Sequence, residues 1–183
     1  MRIVAGKWRG RPLRAPKGLA VRPTSDRVRE AVFDILGERV SGTSVLDLFA
    51  GSGALGLEAL SRGASRAVFV ETDPAAFAVL RRNVETLAAG ESETWQLDYR
   101  QALRRIRARS MRFDLVFLDP PYRRGLASDA AAALCRAGMV RAGGAVVVEE
   151  AFRAPEASYP EGWALSVDRR YGDTRVMLFE VAA

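Results

Sequence analysis

Residues 45–60, Val-Leu-Asp-Leu-Phe-Ala-Gly-Ser-Gly-Ala-Leu-Gly-Leu-Glu-Ala-Leu, constrain the fold more than any other stretch of the chain. Val45 to Leu48 read as a short buried strand with an acid set into it. Ala50-Gly51-Ser52-Gly53 is a turn that needs glycine, and from Ala54 to Leu60 the apolar residues continue at helical spacing. Strand, glycine turn and helix in that order make a nucleotide-type cofactor site. Glycine lets the backbone approach a ligand closely, and the helix start offers unpaired N–H groups.

The spelling Gly51-x-Gly53-x-x-Gly56 also fits the dinucleotide fingerprint. Asp47 argues for a different ligand. A carboxylate at the strand end, four residues before Gly51, suits the amino group and sulfonium of S-adenosylmethionine. It suits a pyrophosphate poorly, because like charges repel. Glu71 closes the next strand, 20 residues after Gly51, where an acid would accept ribose hydroxyls. Asp73-Pro74 follows as a helix start, which makes Asp73 a cap. Asp98 stands at the end of the third strand, where it either accepts from the adenine amine or caps the helix after it.

From residue 44 onward strands and helices alternate. Strands are expected at 44–48, 67–71, 92–97, 113–118 and 144–149, and helices at 53–62, 74–88, 99–108 and 126–137. This is the α/β pattern of a Rossmann-like, mostly parallel doubly wound sheet. Residues 163–170 and 174–181 alternate apolar and polar around Tyr171-Gly172-Asp173, which predicts an antiparallel hairpin at the C-terminal end. Ahead of the sheet, Thr24 or Ser25 caps a helix reaching about Leu36. Two short strands at 2–5 and 11–14 predict a small N-terminal β-hairpin. The expected division is an extension over 1–23 and a catalytic domain over 24–183.

The chain contains no histidine, which excludes His-based triads, His general bases and His metal sites, and no metal ligands are assigned. A single cysteine, Cys135, excludes an internal disulfide. No apolar run approaches membrane-spanning length and no signal peptide is evident, so no membrane partner and a cytoplasmic location are expected. Residues 1–29 hold nine basic residues against one acid, so the rest of the chain carries −2 of the net +6. A basic end with Trp8 set among Lys7, Arg9 and Arg11 predicts a nucleic-acid surface. A second basic stretch, Arg100 to Arg112, has no acid between Tyr99 and Phe113. It reads as a solvated face or as an additional RNA contact.

Asp119-Pro120-Pro121-Tyr122 follows the strand 113–118. The two prolines force a rigid extended turn whose carbonyls have no neighbouring N–H to bond. A carboxylate and a free carbonyl held side by side can accept both hydrogens of an exocyclic amine. Tyr122 can stack on the ring carrying that amine. The acceptors aim the nitrogen lone pair outward and stabilise the charge that develops on nitrogen.

These residues resemble a known family. Asp47-x-Phe49-x-Gly51-x-Gly53 with Asp119-Pro120-Pro121-Tyr122 is similar to the amino-methyltransferases that use S-adenosylmethionine. Gly6-Lys7-Trp8-Arg9-Gly10-Arg11, Arg22-Pro23-Thr24-x-x-Arg27-Val28-Arg29-Glu30, Phe49 to Gly56 and Tyr171-Gly172-Asp173-Thr174-Arg175 resemble the RsmD-like family of bacterial 16S ribosomal RNA guanine-N2 methyltransferases. The resemblance implies a class I methyltransferase with a seven-stranded sheet, acting as a monomer on a guanine amine in a 30S subunit or its precursor. It implies a catalytic set of Asp119, Pro120, Pro121 and Tyr122. The implied cofactor set is Thr24, Asp47, Phe49, Gly51, Ser52, Gly53, Glu71, Thr72, Asp98 and Tyr99. The implied RNA set is Lys7, Trp8, Arg9, Arg11, Arg22 and Arg27. Members of the family also use Phe where Tyr122 stands, and both rings stack.

Three rival functions weigh against this one. An adenine-N6 methyltransferase shares the Asp-Pro-Pro-Tyr motif but usually needs a separate target-recognition domain. An NAD-dependent dehydrogenase leaves Asp47 and Asp119 to Tyr122 without a role. A non-catalytic RNA-binding protein leaves the cofactor motifs without one.

Overall fold

The computed structural model describes residues 1–16, 23–87, 89–121, 125–154 and 157–182, with backbone only for 23–25. Seven strands form one sheet in the order β3-β2-β1-β4-β5-β7-β6. They are β1 (Ser44–Asp47), β2 (Arg66–Glu71), β3 (Ser92–Gln96), β4 (Phe113–Leu118), β5 (Val140–Ala151), β6 (Trp163–Tyr171) and β7 (Thr174–Val181). The first five pair in parallel, and β7 returns antiparallel between β5 and β6. The helices are α1 (Pro23–Leu36), α2 (Ala54–Ser61), α3 (Pro74–Thr86), α4 (Tyr99–Ala108) and α5 (Leu126–Arg136). From α1 onward the predicted elements are present within a few residues of their expected ends. The largest difference is β5, which begins at Val140 because Val140 pairs with Phe113 across a register shift before Leu115.

The central strands are buried on both faces, as the apolar runs require. One core cluster packs Val45, Phe69, Phe117 and Val147 under α1 and α2, with Phe33 against Phe117 at 5.7 Å between ring centroids. The other packs Leu46, Val68, Val116 and Val148 under α4 and α5. The alternation of strand side chains therefore sends Asp47 and the position after Leu118 toward the α1–α2 face.

The N-terminal hairpin differs from two strands. The Ile3 N–H donates to the Arg11 carbonyl and the Leu13 N–H to the Met1 carbonyl, and Arg2 and Pro12 form a single antiparallel bridge. Residues 5–10 are bends and turns. The reason is docking: the Lys7 N–H donates to the Ser61 carbonyl at 2.8 Å and the Trp8 N–H to Ser61 Oγ at 3.0 Å, so this backbone bonds α2 instead of extending a ladder. A side chain at Gly6 would lie 1.8 Å from the Ser61 carbonyl oxygen, which leaves only glycine for that approach. Ile3 and Leu13 are buried in the α1–α2 core, and half-buried Trp8 packs against it with Lys7 Nζ 4.4 Å from its ring centroid.

Candidate active site

The strand ends bring the predicted cofactor residues together. Asp47 ends β1, Glu71 ends β2, and Asp98 and Tyr99 follow β3, all at the carboxyl edge of the sheet, where ligands gather in open α/β folds. Between β1 and α2 the turn reverses through Gly51 and Gly53, with φ of 53° and 82°. The glycines serve different needs. A Cβ on Gly53 would come within 2.5 Å of Leu80, and one on Gly56 within 2.3 Å of Phe69, so these two permit protein packing. A Cβ on Gly51 would meet nothing within 4 Å, so Gly51 borders open space.

Asp47 is buried and accepts the Gly56 N–H at 3.0 Å, placing its carboxylate at the start of α2. Burial raises its pKa from 3.8 to about 7; the Gly56 bond opposes this, and the nearby charges of Asp119 and Glu71 add to it. Glu71 bridges two backbone donors, with Gly51 N–H and Asp73 N–H each at 2.7 Å. It thereby fixes the glycine turn from below. Asp73 caps α3 through the Ala76 N–H at 2.8 Å, the structural role expected of it. Asp98 caps α4 in a capping box with Gln101, so its helix-capping role is realised. Phe49 and Tyr99 form an aromatic wall with ring centroids 5.6 Å apart. Ser52 is buried, and its carbonyl accepts from Asn83 Nδ2 at 2.9 Å, which ties the turn to α3. Thr72 is exposed at the rim.

Asp119 follows β4 directly. The residue is exposed, and desolvation by the protein around its carboxyl raises its pKa. Pro120 is buried and Pro121 exposed. Tyr122, Arg22 and the Thr24 side chain lie outside the described residues. Of the predicted RNA-facing residues, Lys7, Arg9 and Arg11 are exposed on the hairpin and Arg27 is exposed on α1.

The sequence reading missed Glu149. Leu118 pairs with Val148, so Asp119 and Glu149 stand side by side one step further along β4 and β5. Glu149 is half-buried, and burial pushes its carboxyl up, with further upward pressure from Asp119 and Asp47 and a downward pull from Arg29. The available signal was the one that marked Asp47 and Glu71: an acid closing an otherwise apolar strand. Arg29 was also missed. It is buried on α1 and donates to the Arg2 carbonyl at 2.6 Å, with Asp26 at 3.2 Å.

The arrangement offers a buried acid beside an N-terminal helix turn, a second acid on the glycine turn, an aromatic wall, and a separate acid–proline turn facing solvent. A ligand with a cationic centre and a ribose fits the first three. An uncharged amine fits the last.

Comparison with known proteins agrees with this architecture. Residues 1–180 match the family described as Conserved hypothetical protein 95. The chain is 36% identical over 180 residues to ribosomal RNA small subunit methyltransferase D of Escherichia coli, covering 98% of this chain and 89% of that protein. It is also 36% identical over 182 residues to the protein of the same name in Haemophilus influenzae, covering 98% and 93%. The solved structure of Escherichia coli yhhF superposes with a TM-score of 0.88 at 36% identity, covering 100% of this chain and 98% of that one. The chain belongs to the Conserved hypothetical protein 95 family, and its fold is that of the methyltransferases with a Rossmann-like, mostly parallel seven-stranded sheet.

Proposed function

We propose that this protein is an S-adenosylmethionine-dependent ribosomal RNA methyltransferase that modifies the exocyclic N2 amine of a guanine in 16S rRNA of the small subunit. The observation that carries the reading is the pairing of two differently placed acids at one sheet edge. Asp47 is buried at the glycine turn, where a cation can pull its proton off, and Asp119 opens to solvent on a proline-locked turn. The identity to small subunit methyltransferase D proteins over nearly the whole chain supports the ribosomal RNA substrate.

Asp47 holds the amino end of the cofactor, Glu71 its ribose hydroxyls, and Phe49 and Tyr99 flank its base. When bound, the cofactor supplies an electrophilic methyl group. A neutral Asp47 facing an ammonium gives up its proton, so the buried charge that is costly in the empty protein becomes half of an ion pair. The Asp119 carboxylate and the Pro120 carbonyl accept the two amine hydrogens of the target base, which leaves the nitrogen lone pair directed away from both. Charge that develops on nitrogen is stabilised by the same acceptors, held in place before the reaction. The raised pKa of Asp119 suits it to take the proton that the amine finally releases. Lys7, Arg9, Arg11 and Arg27 supply phosphate contacts on the α1–α2 side.

Titration with S-adenosylmethionine and separately with NAD, followed by a transfer assay on small ribosomal subunits, tests the reading. Binding of the first ligand alone, with methyl transferred to 16S rRNA, is the expected result. Binding of NAD, or transfer only to DNA, contradicts it.

A further inference from the structure

The proposed reaction leaves the arginines of α4 without a role. Tyr99, Ala102, Leu103 and Ile106 of this helix are buried, and Arg100, Arg104, Arg105 and Arg107, with Arg109 and Arg112 just beyond it, are exposed. The arginines, which by spacing alone point around the helix, are thus sorted entirely to the solvent side. Arg105 and Arg109 are engaged: both guanidinium groups lie over Trp95, at 4.4 and 5.8 Å from its ring centroid, and Arg109 grips Glu93 at 2.6 and 3.1 Å. Arg100 rests over Tyr99. Among the described residues, Arg100, Arg104, Arg107 and Arg112 form no ion pair.

Arg100, Arg104 and Arg107 follow a four-then-three spacing, so they line one stripe of the helix. Like charges at that spacing repel and weaken an isolated helix, and α4 contains no acid to relieve them. The stripe begins beside Asp98 and Tyr99 at the candidate cofactor site. It runs back along the flank of the sheet for roughly 10 Å, at about 1.5 Å per residue. The buried residues of α4 belong to one core cluster, whereas Ile3 and Leu13 of the N-terminal hairpin belong to the other. The two basic surfaces therefore lie on opposite faces of the sheet with the strand-end site between them. The remaining exposed residues of α4, Gln101 and Ala108, offer no aromatic or large aliphatic anchor of the kind a protein partner buries. Guanidinium groups alone match phosphate oxygens.

We propose that the Arg100–Arg104–Arg107 stripe is a second docking surface for RNA phosphates, gripping the substrate from the face opposite the N-terminal hairpin. The proposal rests on the RNA reading above. The test uses the full chain carrying R104E/R107E, with R104K/R107K as the charge-conserving control. Binding is measured to assembled small subunits and to protein-free 16S rRNA over a salt series, alongside melting temperature and S-adenosylmethionine affinity. The glutamate variant is expected to melt and bind cofactor like wild type. Its RNA affinity should fall tenfold or more, and its slope of log K against log salt should drop by roughly 1–2, since each phosphate contact contributes about 0.7–0.9. The lysine variant should keep most of the slope. Unchanged affinity and slope in the glutamate variant, with wild type methylating normally, overturns the stripe alone. Weakened binding to assembled subunits with unchanged binding to bare rRNA makes the partner an acidic protein and also overturns it. Failure of wild type to bind or methylate RNA overturns the RNA reading itself, and this proposal with it.

Discussion

The Glu71 carboxylate accepts the Gly51 N–H at 2.7 Å, so the acid that closes β2 also holds the glycine turn between β1 and α2. One side chain thus serves both the shape of the turn and, in the proposed function, the ribose beside it. Glu71→Ala should weaken S-adenosylmethionine binding by about 1–3 kcal/mol, the scale for a charged hydrogen-bond partner. Titration calorimetry that finds unchanged affinity would remove Glu71 from the cofactor site.

Asp47 gives the site a pH signature. Its folded pKa of about 7 lies above the unfolded value of 3.8, so the folded state binds the extra proton between these limits. Its contribution therefore destabilises the ligand-free protein progressively as pH rises from about 4 to about 7, and levels off above. Asp47→Asn removes this penalty. The variant should melt higher than wild type at pH 8, with the gap narrowing toward pH 5, while cofactor binding is lost. For wild type, S-adenosylmethionine affinity should increase from pH 5.5 to 7.5 as Asp47 ionises more readily. Affinity independent of pH over that range would show that Asp47 does not exchange its proton for the cofactor's positive charge.

Asp119→Ala should leave cofactor affinity nearly intact and reduce transfer by roughly 10²–10³, the loss typical of one positioned group acting on developing charge. Asp119 faces the amine, not the cofactor, in the proposed reaction. A variant that loses cofactor affinity but transfers normally at saturating cofactor would reverse that assignment.

The basic hairpin cannot be removed without cost to the fold. Glu58 on α2 is fully buried and accepts from the Val4 N–H at 2.8 Å, the Ala5 N–H at 3.0 Å and Arg62 Nε at 2.8 Å. Deleting residues 1–19 would strip two of these donors from a buried charge and remove Ile3 and Leu13 from the core. Glu58→Ala leaves Arg62 and two backbone donors unpaired, and should cost about 3–5 kcal/mol by chemical denaturation. Lys7→Ala/Arg9→Ala/Arg11→Ala, by contrast, changes only exposed side chains. It should keep the melting temperature and weaken RNA binding with a shallower salt dependence. A normal salt dependence in that triple variant would make these residues a solvated face.

The parallel sheet was readable because its strands are apolar runs separated by helical spacing and capped turns. Asp73 announced its helix through Asp-Pro, whereas Asp98 stood open between a cap and an adenine contact until its capping box with Gln101 was seen. Asp119 was visible through the two prolines that follow it, and Asp47 and Glu71 as charges closing apolar strands. Glu149 fitted that rule, but its place beside Asp119 depends on the β4–β5 register, which no local pattern encodes. Arg29 read as one more residue of a basic tail, because only tertiary packing buries it beneath the hairpin. The hairpin differs in detail: short strands are expected at 2–5 and 11–14, whereas docking onto Ser61 takes the backbone donors a ladder would use. The arginines of α4 could be assigned to one side only once Tyr99, Ala102, Leu103 and Ile106 were seen to face inward.

The central claim is that the Asp119–Pro120 turn presents an exocyclic guanine amine to the methyl group bound over Asp47. The most direct test supplies methyl-labelled S-adenosylmethionine and small ribosomal subunits from cells lacking this protein, then digests the 16S rRNA and identifies the labelled nucleoside. The account predicts N2-methylguanosine as the labelled product, formed by wild type and nearly lost with Asp119→Ala. Label recovered as N6-methyladenosine, or N2-methylguanosine formed equally well by Asp119→Ala, would contradict it.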